Sequence, residues 1–202
     1  MQVLEYLDSS GVSAFAAWFD RLDPQSTAKV TVALQLLRQG NESNLKGAGA
    51  GVLEYRIDFG PGYLLGGGTK RRQQRDIETA QMRWAEYTGA ARKERREMAL
   101  TRDFKMTVKA RAERDPAYRE ALLTEAVELL LSGDVETGKA ILRDYINATI
   151  GFERLALKTG TPPKSLMRML GPKGNPRAGN LLNVISALQQ ASGLHLEVAA
   201  AR

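Results

Sequence analysis

The sequence contains no cysteine and only one histidine, His195. Without cysteine the chain has no disulfide, no thiolate zinc site and no cysteine nucleophile, and one histidine cannot form a histidine cluster for a metal. His195 lies in the segment GLHLEV, where alternation makes it the outward residue of a short strand. We therefore expect no metal and no cofactor, and any catalysis would have to use arginine, lysine, tyrosine or carboxylate groups.

Long apolar runs are also missing. No stretch approaches the roughly 20 residues that span a bilayer, and the N-terminal MQVLEYLDSS carries acids instead of the basic and then apolar pattern of a secretion signal. With 202 residues, 43% of them hydrophobic, the chain can form one ordinary domain or two small ones. We expect a soluble protein of the cytoplasm with no membrane partner.

Acidic residues are scarce near the C-terminus. Residues 145–202 hold seven Lys or Arg and two acids, a local net charge of +5, whereas residues 98–144 hold eight and nine, a local net charge of -1. Positive charge concentrated in this way is typical of a segment that meets a polyanion.

The first part of the chain combines strand and helix patterns. Strands are predicted at 3–6 and, from the alternation in VLEYRIDFG, at 52–60. Helical spacing of apolar residues follows in 13–22, in 24–40 and again in 71–87. We therefore expect a small α+β unit.

The second part is predicted to be mainly helical. Residues 88–99, TGAARKERREMA, are dense in charge and lack an apolar stripe, which indicates a linker or an exposed extension of the preceding helix. From residue 101 onward the pattern is helical, with one helix starting at Pro116 and ending at Gly133. The whole chain is thus expected to be α+β, with an all-α second half.

The most specific local pattern surrounds Gly160. A short helix at 152–159 ends there, and Pro162 and Pro163 can occupy only the first turn of a second helix. Helical period turns three apolar residues of that second helix inward: Leu166, Met169 and Leu170. This spacing is typical of a DNA-binding helix-turn-helix, although any pair of antiparallel helices can show it.

The same period predicts the DNA contacts. The outer face of the second helix, which would enter the major groove, consists of Lys164, Ser165, Met167 and Arg168. A glycine-punctuated loop then carries two cations and an amide suited to holding phosphates: Lys173, Asn175 and Arg177.

Two family resemblances cover most of the chain. Residues 100–202, with LTRDFK, RDPAYREALLTEAVELLLSGDVETGKAILRDYINATIGFERLA and GLHLEV, resemble an addiction-module antidote of the HigA type, which has a Cro/repressor-like helix-turn-helix. Residues 3–87, with VLEYLDSSGVSAFAAWFDRLD and GVLEYRIDFGPGY, resemble a RelE/HigB-like toxin, a family of messenger-RNA endonucleases. Toxin genes of this class commonly precede their antitoxin gene, so the chain resembles an in-frame fusion in which Met98 is the former antitoxin start.

These resemblances imply a domain plan. A toxin domain occupies 1–87, a linker 88–99, and an antitoxin domain 100–202 with its helix-turn-helix at about 145–193 and a C-terminal strand at 194–198. The strand, left unpaired at an edge, is expected to pair with its twin in a homodimer.

The glycine-rich stretch FGPGYLLGGGTK indicates a shortened toxin. Only Leu64 and Leu65 lie between Tyr63 and Gly66, where the toxin family has the rest of a strand, a turn and another strand. The order Gly68-Thr69-Lys70 also departs from the Gly-Lys-Ser/Thr ending of a nucleotide-binding loop. We expect an α+β toxin domain with a truncated antiparallel sheet and no activity.

RNA cleavage of the family's kind would need a base, a proton donor and positive charge on the phosphorane. The resemblance gives Arg56 and Lys70 as catalytic candidates, with a salt bridge to Glu54 or Asp58 as the alternative for Arg56. Four further cations are candidates for RNA contacts: Lys46, Arg71, Arg72 and Arg75. A solvated helix start, or contact with the acidic region 113–136, would also explain the cluster at 70–75.

Three functions remain open. The first is a type II toxin-antitoxin protein whose antitoxin half neutralises an inactive toxin half and binds operator DNA as a dimeric autorepressor. The alternative is a self-inhibited messenger-RNA endonuclease that meets RNA or the ribosome through its toxin half. A third is a two-domain regulator whose residues 1–87 sense a ligand. The shortened YLLGGG segment favours the first over the second, and the lack of an apolar pocket pattern disfavours the third.

Overall fold

A computed structural model describes residues 2–8, 10–57, 63–64, 73–93 and 101–197. The chain divides into two compact units, Met1–Thr107 and Val108–Arg202. The described residues form helices and small antiparallel sheets and are mostly helical, which confirms the predicted mixture of helix and sheet. No helix among them is both long and apolar enough to cross a membrane.

The first unit contains helices between short strands. In chain order its elements are β1 (Leu4–Tyr6), α1 (Ala14–Phe19), α2 (Pro24–Arg38), β2 (Leu45–Gly49), β3 (Val52–Ile57), β4 (Tyr63–Leu64), α3 (Gln73–Lys93) and β5 (Thr101–Asp103). Helix α4 (Phe104–Arg114) then passes from the first unit into the second.

Local sequence signals set the start of α1 and α2. The Ser13 side chain accepts a hydrogen bond from the Ala16 amide, and Asp23 accepts one from Ser26, so both helices have a side-chain cap at their N-terminus. Pro24 occupies the first turn of α2, as predicted. Helix α2 is buried along most of its length and supplies much of the core of the first unit.

Strands β2, β3 and β4 form one antiparallel sheet. Leu45 pairs with Tyr55 across β2 and β3, and Arg56 pairs with Leu64 across β3 and β4. Helix α3 contacts the β2–β3 hairpin, because the Gln81 side chain donates to the Ala48 carbonyl at 2.9 Å. The sequence analysis missed β2, since its LKGAG sequence lacks the apolar alternation that identifies a strand.

A second antiparallel pair joins β1 to β5. Leu4 pairs with Asp103, and Tyr6 pairs with Thr101. A helical pattern was expected from residue 101 onward, and for Thr101–Asp103 that expectation is wrong, because a three-residue strand is too short to show a period. The two units divide after Thr107, later than the linker expected at 88–99, and α3 continues to Lys93.

The second unit is helical throughout its described residues. It contains α5 (Pro116–Leu131), α6 (Val135–Ala148), α7 (Gly151–Thr159), α8 (Pro163–Met169) and α9 (Ala178–Ser192). Asp115 and Asp134 cap α5 and α6, and Leu122 and Ile141 are fully buried. Gly138 allows α5 and α6 to approach closely, because a Cβ at this position would lie 3.1 Å from the Ala126 carbonyl oxygen and closer still to Leu130.

The predicted C-terminal strand is not formed over residues 194–197. The Leu194 amide donates to the Gln189 carbonyl at 3.1 Å, and the Leu196 amide donates to the Gln189 side-chain oxygen at 2.7 Å. A strand requires a ladder partner, and within the described part of this chain the end of α9 takes these two amides instead. Residue 198, the last of the predicted strand, lies outside the described residues.

Candidate nucleic-acid interface

Helices α7 and α8 are joined by a tight turn. Gly160 has φ 66° in the left-handed region, and its amide donates to the Ala156 carbonyl, so it ends α7 in the way glycine commonly does. Pro163 lies in the first turn of α8, and the Pro162 carbonyl accepts hydrogen bonds from Ser165 and Leu166. The sequence therefore places α8 directly after a sharp change of chain direction.

The inner face of α8 is apolar and packed. Leu166 and Leu170 are buried, and Met169 is half-buried. Buried side chains of α7 and α9 complete the core of this region, among them Leu155 and Val184. Helix α8 thus has a fixed orientation, which a helix that reads base edges requires.

The outer face of α8 carries the predicted base contacts. Lys164, Met167 and Arg168 are exposed, whereas Ser165 is half-buried. The structure thus brings three of the four candidates to the open surface of one short helix. Ser165 lies at the edge of this face.

The loop after α8 carries the predicted phosphate contacts. Lys173, Asn175 and Arg177 are all exposed. Arg177 is also the N-cap residue of α9, and no side chain caps that helix. The first turn of α9 contains no acidic residue, so its positive dipole end adds to the charge of the loop.

The sequence analysis missed Lys139, a residue of α6 that holds this loop. Lys139 is 1% exposed, and its ammonium group lies 2.6 Å from Glu136 Oε1 and 2.5 Å from the Gly174 carbonyl oxygen. Gly174 itself packs tightly on the end of α8, because a Cβ there would lie 2.1 Å from the Met169 carbonyl oxygen. The signal was present, since Lys139 shares the inner helical positions with Leu142 and Ile146.

Positive charge covers this region of the second unit. Six cations between residues 150 and 180 are exposed: Arg154, Lys158, Lys164, Arg168, Lys173 and Arg177. Such a surface attracts a polyanion and gives binding that weakens as salt rises.

The candidates for RNA chemistry are less well grouped. Arg56 is exposed on β3, and its Nε lies 3.4 Å from Glu54 Oε1, so the salt-bridge alternative to Glu54 describes its environment. Lys46 of β2 lies opposite Glu54 and is exposed. Arg75 is exposed at the start of α3. Lys70, Arg71, Arg72 and Asp58 lie outside the described residues.

Comparison with known proteins gives one partial match. No protein-family model matches the chain, and no solved structure matches it. A protein from Haemophilus influenzae, described only as uncharacterized, is 32% identical over 82 residues. The match covers 34% of this chain and 83% of that protein. Most of this chain therefore lies outside the part that the two proteins share.

Proposed function

We propose that this chain, which belongs to the same family as the uncharacterized Haemophilus influenzae protein, is a fused toxin-antitoxin protein that binds operator DNA through its second unit. The observation that carries the proposal is α8. This helix follows a turn that ends in two prolines, buries Leu166 and Leu170, and exposes Lys164 and Arg168. We interpret α7 and α8 as a helix-turn-helix of the HigA type.

In this proposal α8 enters the major groove and reads bases. An arginine can donate two hydrogen bonds to the O6 and N7 atoms of guanine, and Arg168 has the exposed position for this contact. Met167 offers an apolar surface to a thymine methyl group. Lys164 lies at the N-terminal end of α8, the end that contacts base edges in helix-turn-helix proteins.

The loop after α8 would set affinity without reading sequence. Lys173 and Arg177 are long cations on a glycine-containing segment, which suits phosphate contacts. Asn175 adds an uncharged donor for a phosphate oxygen. Lys139 holds the loop to the core, so these groups would meet the backbone at a fixed distance from α8.

The first unit is proposed to be an inactive toxin. Its sequence lacks the residues of a hairpin that the RelE/HigB family possesses, and its catalytic candidate Arg56 faces the carboxylate of Glu54. The antitoxin half would then keep its repressor role, with Met98 as the former start of a separate protein. Lys46 and Arg75 would retain at most weak RNA or ribosome contact.

The active species is proposed to be a homodimer that represses its own gene. Dimeric helix-turn-helix proteins bind two half-sites about one helical turn apart, so the operator should be close to palindromic with centres roughly 10 base pairs apart.

Two arginine substitutions test this assignment. Arg168→Ala should weaken operator binding by about 1 to 3 kcal/mol and change random-DNA binding little, because it removes a base contact. Arg177→Ala should weaken both and lower the salt slope of binding by about one, because it removes a phosphate contact. Fluorescence anisotropy with both duplexes at several salt concentrations measures these effects. Equal behaviour of the two variants would contradict the assignment of α8 as the recognition helix.

A further inference from the structure

The pairing of β1 with β5 surrounds a buried carboxylate. Glu5 lies directly opposite Arg102 in the ladder, and its side chain is 1% exposed. The Arg102 guanidinium donates to both carboxylate oxygens, with Nε 2.8 Å from Oε1 and Nη2 3.2 Å from Oε2. This two-point geometry is the strongest that an arginine and a carboxylate can form.

Two hydroxyl groups complete the environment of Glu5. The Thr107 hydroxyl donates to Oε1 at 2.6 Å, and the Ser13 hydroxyl donates to Oε2. Arg102 Nη2 also lies 3.1 Å from the Thr107 hydroxyl oxygen. Both oxygens of Glu5 therefore have partners, which a buried charge requires if it is not to destabilise the fold.

The partners of Glu5 come from two distant parts of the chain. Ser13 belongs to the N-terminal end, whereas Arg102 and Thr107 belong to the segment Thr101–Thr107. Phe104, in the middle of this segment, is 1% exposed. The segment thus has the features of a bound peptide, namely a strand pair, a charged anchor and an apolar anchor.

We infer that the edge of β1, with Glu5 at its centre, is a docking site for Thr101–Thr107 that functions between separate chains as well as within one. The occupant has a defined chemistry: a short strand with an arginine opposite Glu5, followed by a buried phenylalanine and a helix whose first turn carries a hydroxyl. Cutting the chain between the two resembled halves would then leave them associated. The inference does not depend on DNA binding by the second unit.

Cleavage of the folded full-length chain tests this site. A recognition sequence for a specific protease is inserted between Glu97 and Met98, and the purified protein is cut and analysed by size-exclusion chromatography with light scattering. Fragments 1–97 and 98–202 should elute together with the mass of the uncut protein, and dilution then gives their dissociation constant. Separation of the fragments of the unchanged sequence at micromolar concentration would overturn the inference.

Matched substitutions assign the association to Glu5. Glu5→Gln should raise the dissociation constant of the cut protein by roughly 100-fold or more, because it leaves Arg102 without its buried counter-charge. Glu42→Gln, which neutralises an exposed acid of the same unit, should leave it unchanged. Equal dissociation constants for these two variants would also overturn the inference.

A milder variant covers the case in which Glu5→Gln does not fold. Thr107→Val keeps the shape of the side chain and removes one hydrogen bond to Glu5, so it should raise the dissociation constant by roughly 5- to 10-fold. The uncut Thr107→Val protein should still melt cooperatively and bind operator DNA as before. An unchanged dissociation constant in this variant would contradict a docking site at Glu5, whatever the outcome for DNA binding.

Discussion

Lys139 links the core of the second unit to the proposed phosphate-binding loop. Its ammonium group is buried and contacts the Gly174 carbonyl, so the position of the loop depends on one charged hydrogen bond. Glu136 supplies the counter-charge from the same helix. Because Lys139 itself cannot reach solvent, it acts on DNA only through the residues that it positions.

We predict that Lys139→Met weakens DNA binding without removing a surface charge. Methionine keeps much of the stem but leaves the Gly174 carbonyl without its donor, which should lower the free energy of unfolding by about 1 to 3 kcal/mol. Binding to operator and to random DNA should both weaken. The control is Lys173→Met, which should lower the salt slope by about one and leave urea denaturation unchanged. If Lys139→Met is destabilised but binds DNA normally, Lys139 does not position the loop.

Asp115 provides a test of stability against pH. Burial alone would raise the pKa of Asp115, but hydrogen bonds from the Tyr118 amide and from Arg111 outweigh it, so the pKa lies below its ordinary 3.8. A carboxyl with a lowered folded pKa stabilises the protein above the unfolded pKa, and this contribution is lost as pH falls through the folded pKa.

We therefore predict that Asp115→Asn changes stability in a pH-dependent way. At pH 7 the variant should be less stable by about 1 kcal/mol, because asparagine can still cap α5 but cannot pair with Arg111. The difference from the unchanged protein should shrink as pH falls from about 5 to about 3. Urea denaturation at a series of pH values measures it, and a constant difference would show that the carboxylate charge has no role.

At the scale of elements, proline, glycine and capping residues made most helices predictable. Pro24, Pro116 and Pro163 each lie in the first turn of a helix, and Gly160 ends one. These signals act within a few residues, so one sequence is enough to detect them. The same signals predicted which side of α8 is buried.

The missed elements depend on contacts between distant residues. Strand β5 exists because Arg102 meets Glu5, which lies 97 positions away. Strand β2 pairs with β3 although its own sequence is rich in glycine. Lys139 has its partner in a loop 35 residues away, so its role also required the fold.

The segment after α9 leads to a prediction about assembly. The amides of Leu194 and Leu196 face Gln189, so an extended segment here has its other edge available to a second chain. We predict a dimer that loses half its mass when residues 194–202 are deleted. Deleting only 199–202 is the control and should preserve the dimer. A chain that is monomeric by light scattering at micromolar concentration would contradict this pairing.

At the scale of the whole molecule, two units of different composition share one chain. The first unit contains both described sheets, whereas the second contains only helices among its described residues. The excess of positive charge lies in residues 145–202, within the second unit. We therefore assign nucleic-acid binding to the second unit and expect the first to contribute little.

We predict that the full-length chain does not cleave messenger RNA. Arg56 faces Glu54, and the sequence lacks the hairpin residues of the toxin family, so no positive site for a phosphorane is expected. Incubation with a defined messenger RNA, followed by mapping of its 5′ ends, tests this for the uncut and the protease-cut protein. The Arg56→Ala variant should be indistinguishable from the unchanged protein. Specific cleavage that Arg56→Ala abolishes would instead support the endonuclease alternative.

The central claim is that the chain recognises one DNA sequence through α8. The most direct measurement is the ratio of its dissociation constants for a scrambled duplex and for the duplex upstream of its own gene, at one physiological salt concentration. We predict a preference for the upstream duplex of at least about 1000-fold, the lower end of the range for specific DNA-binding proteins. Equal dissociation constants for the two duplexes would contradict the claim.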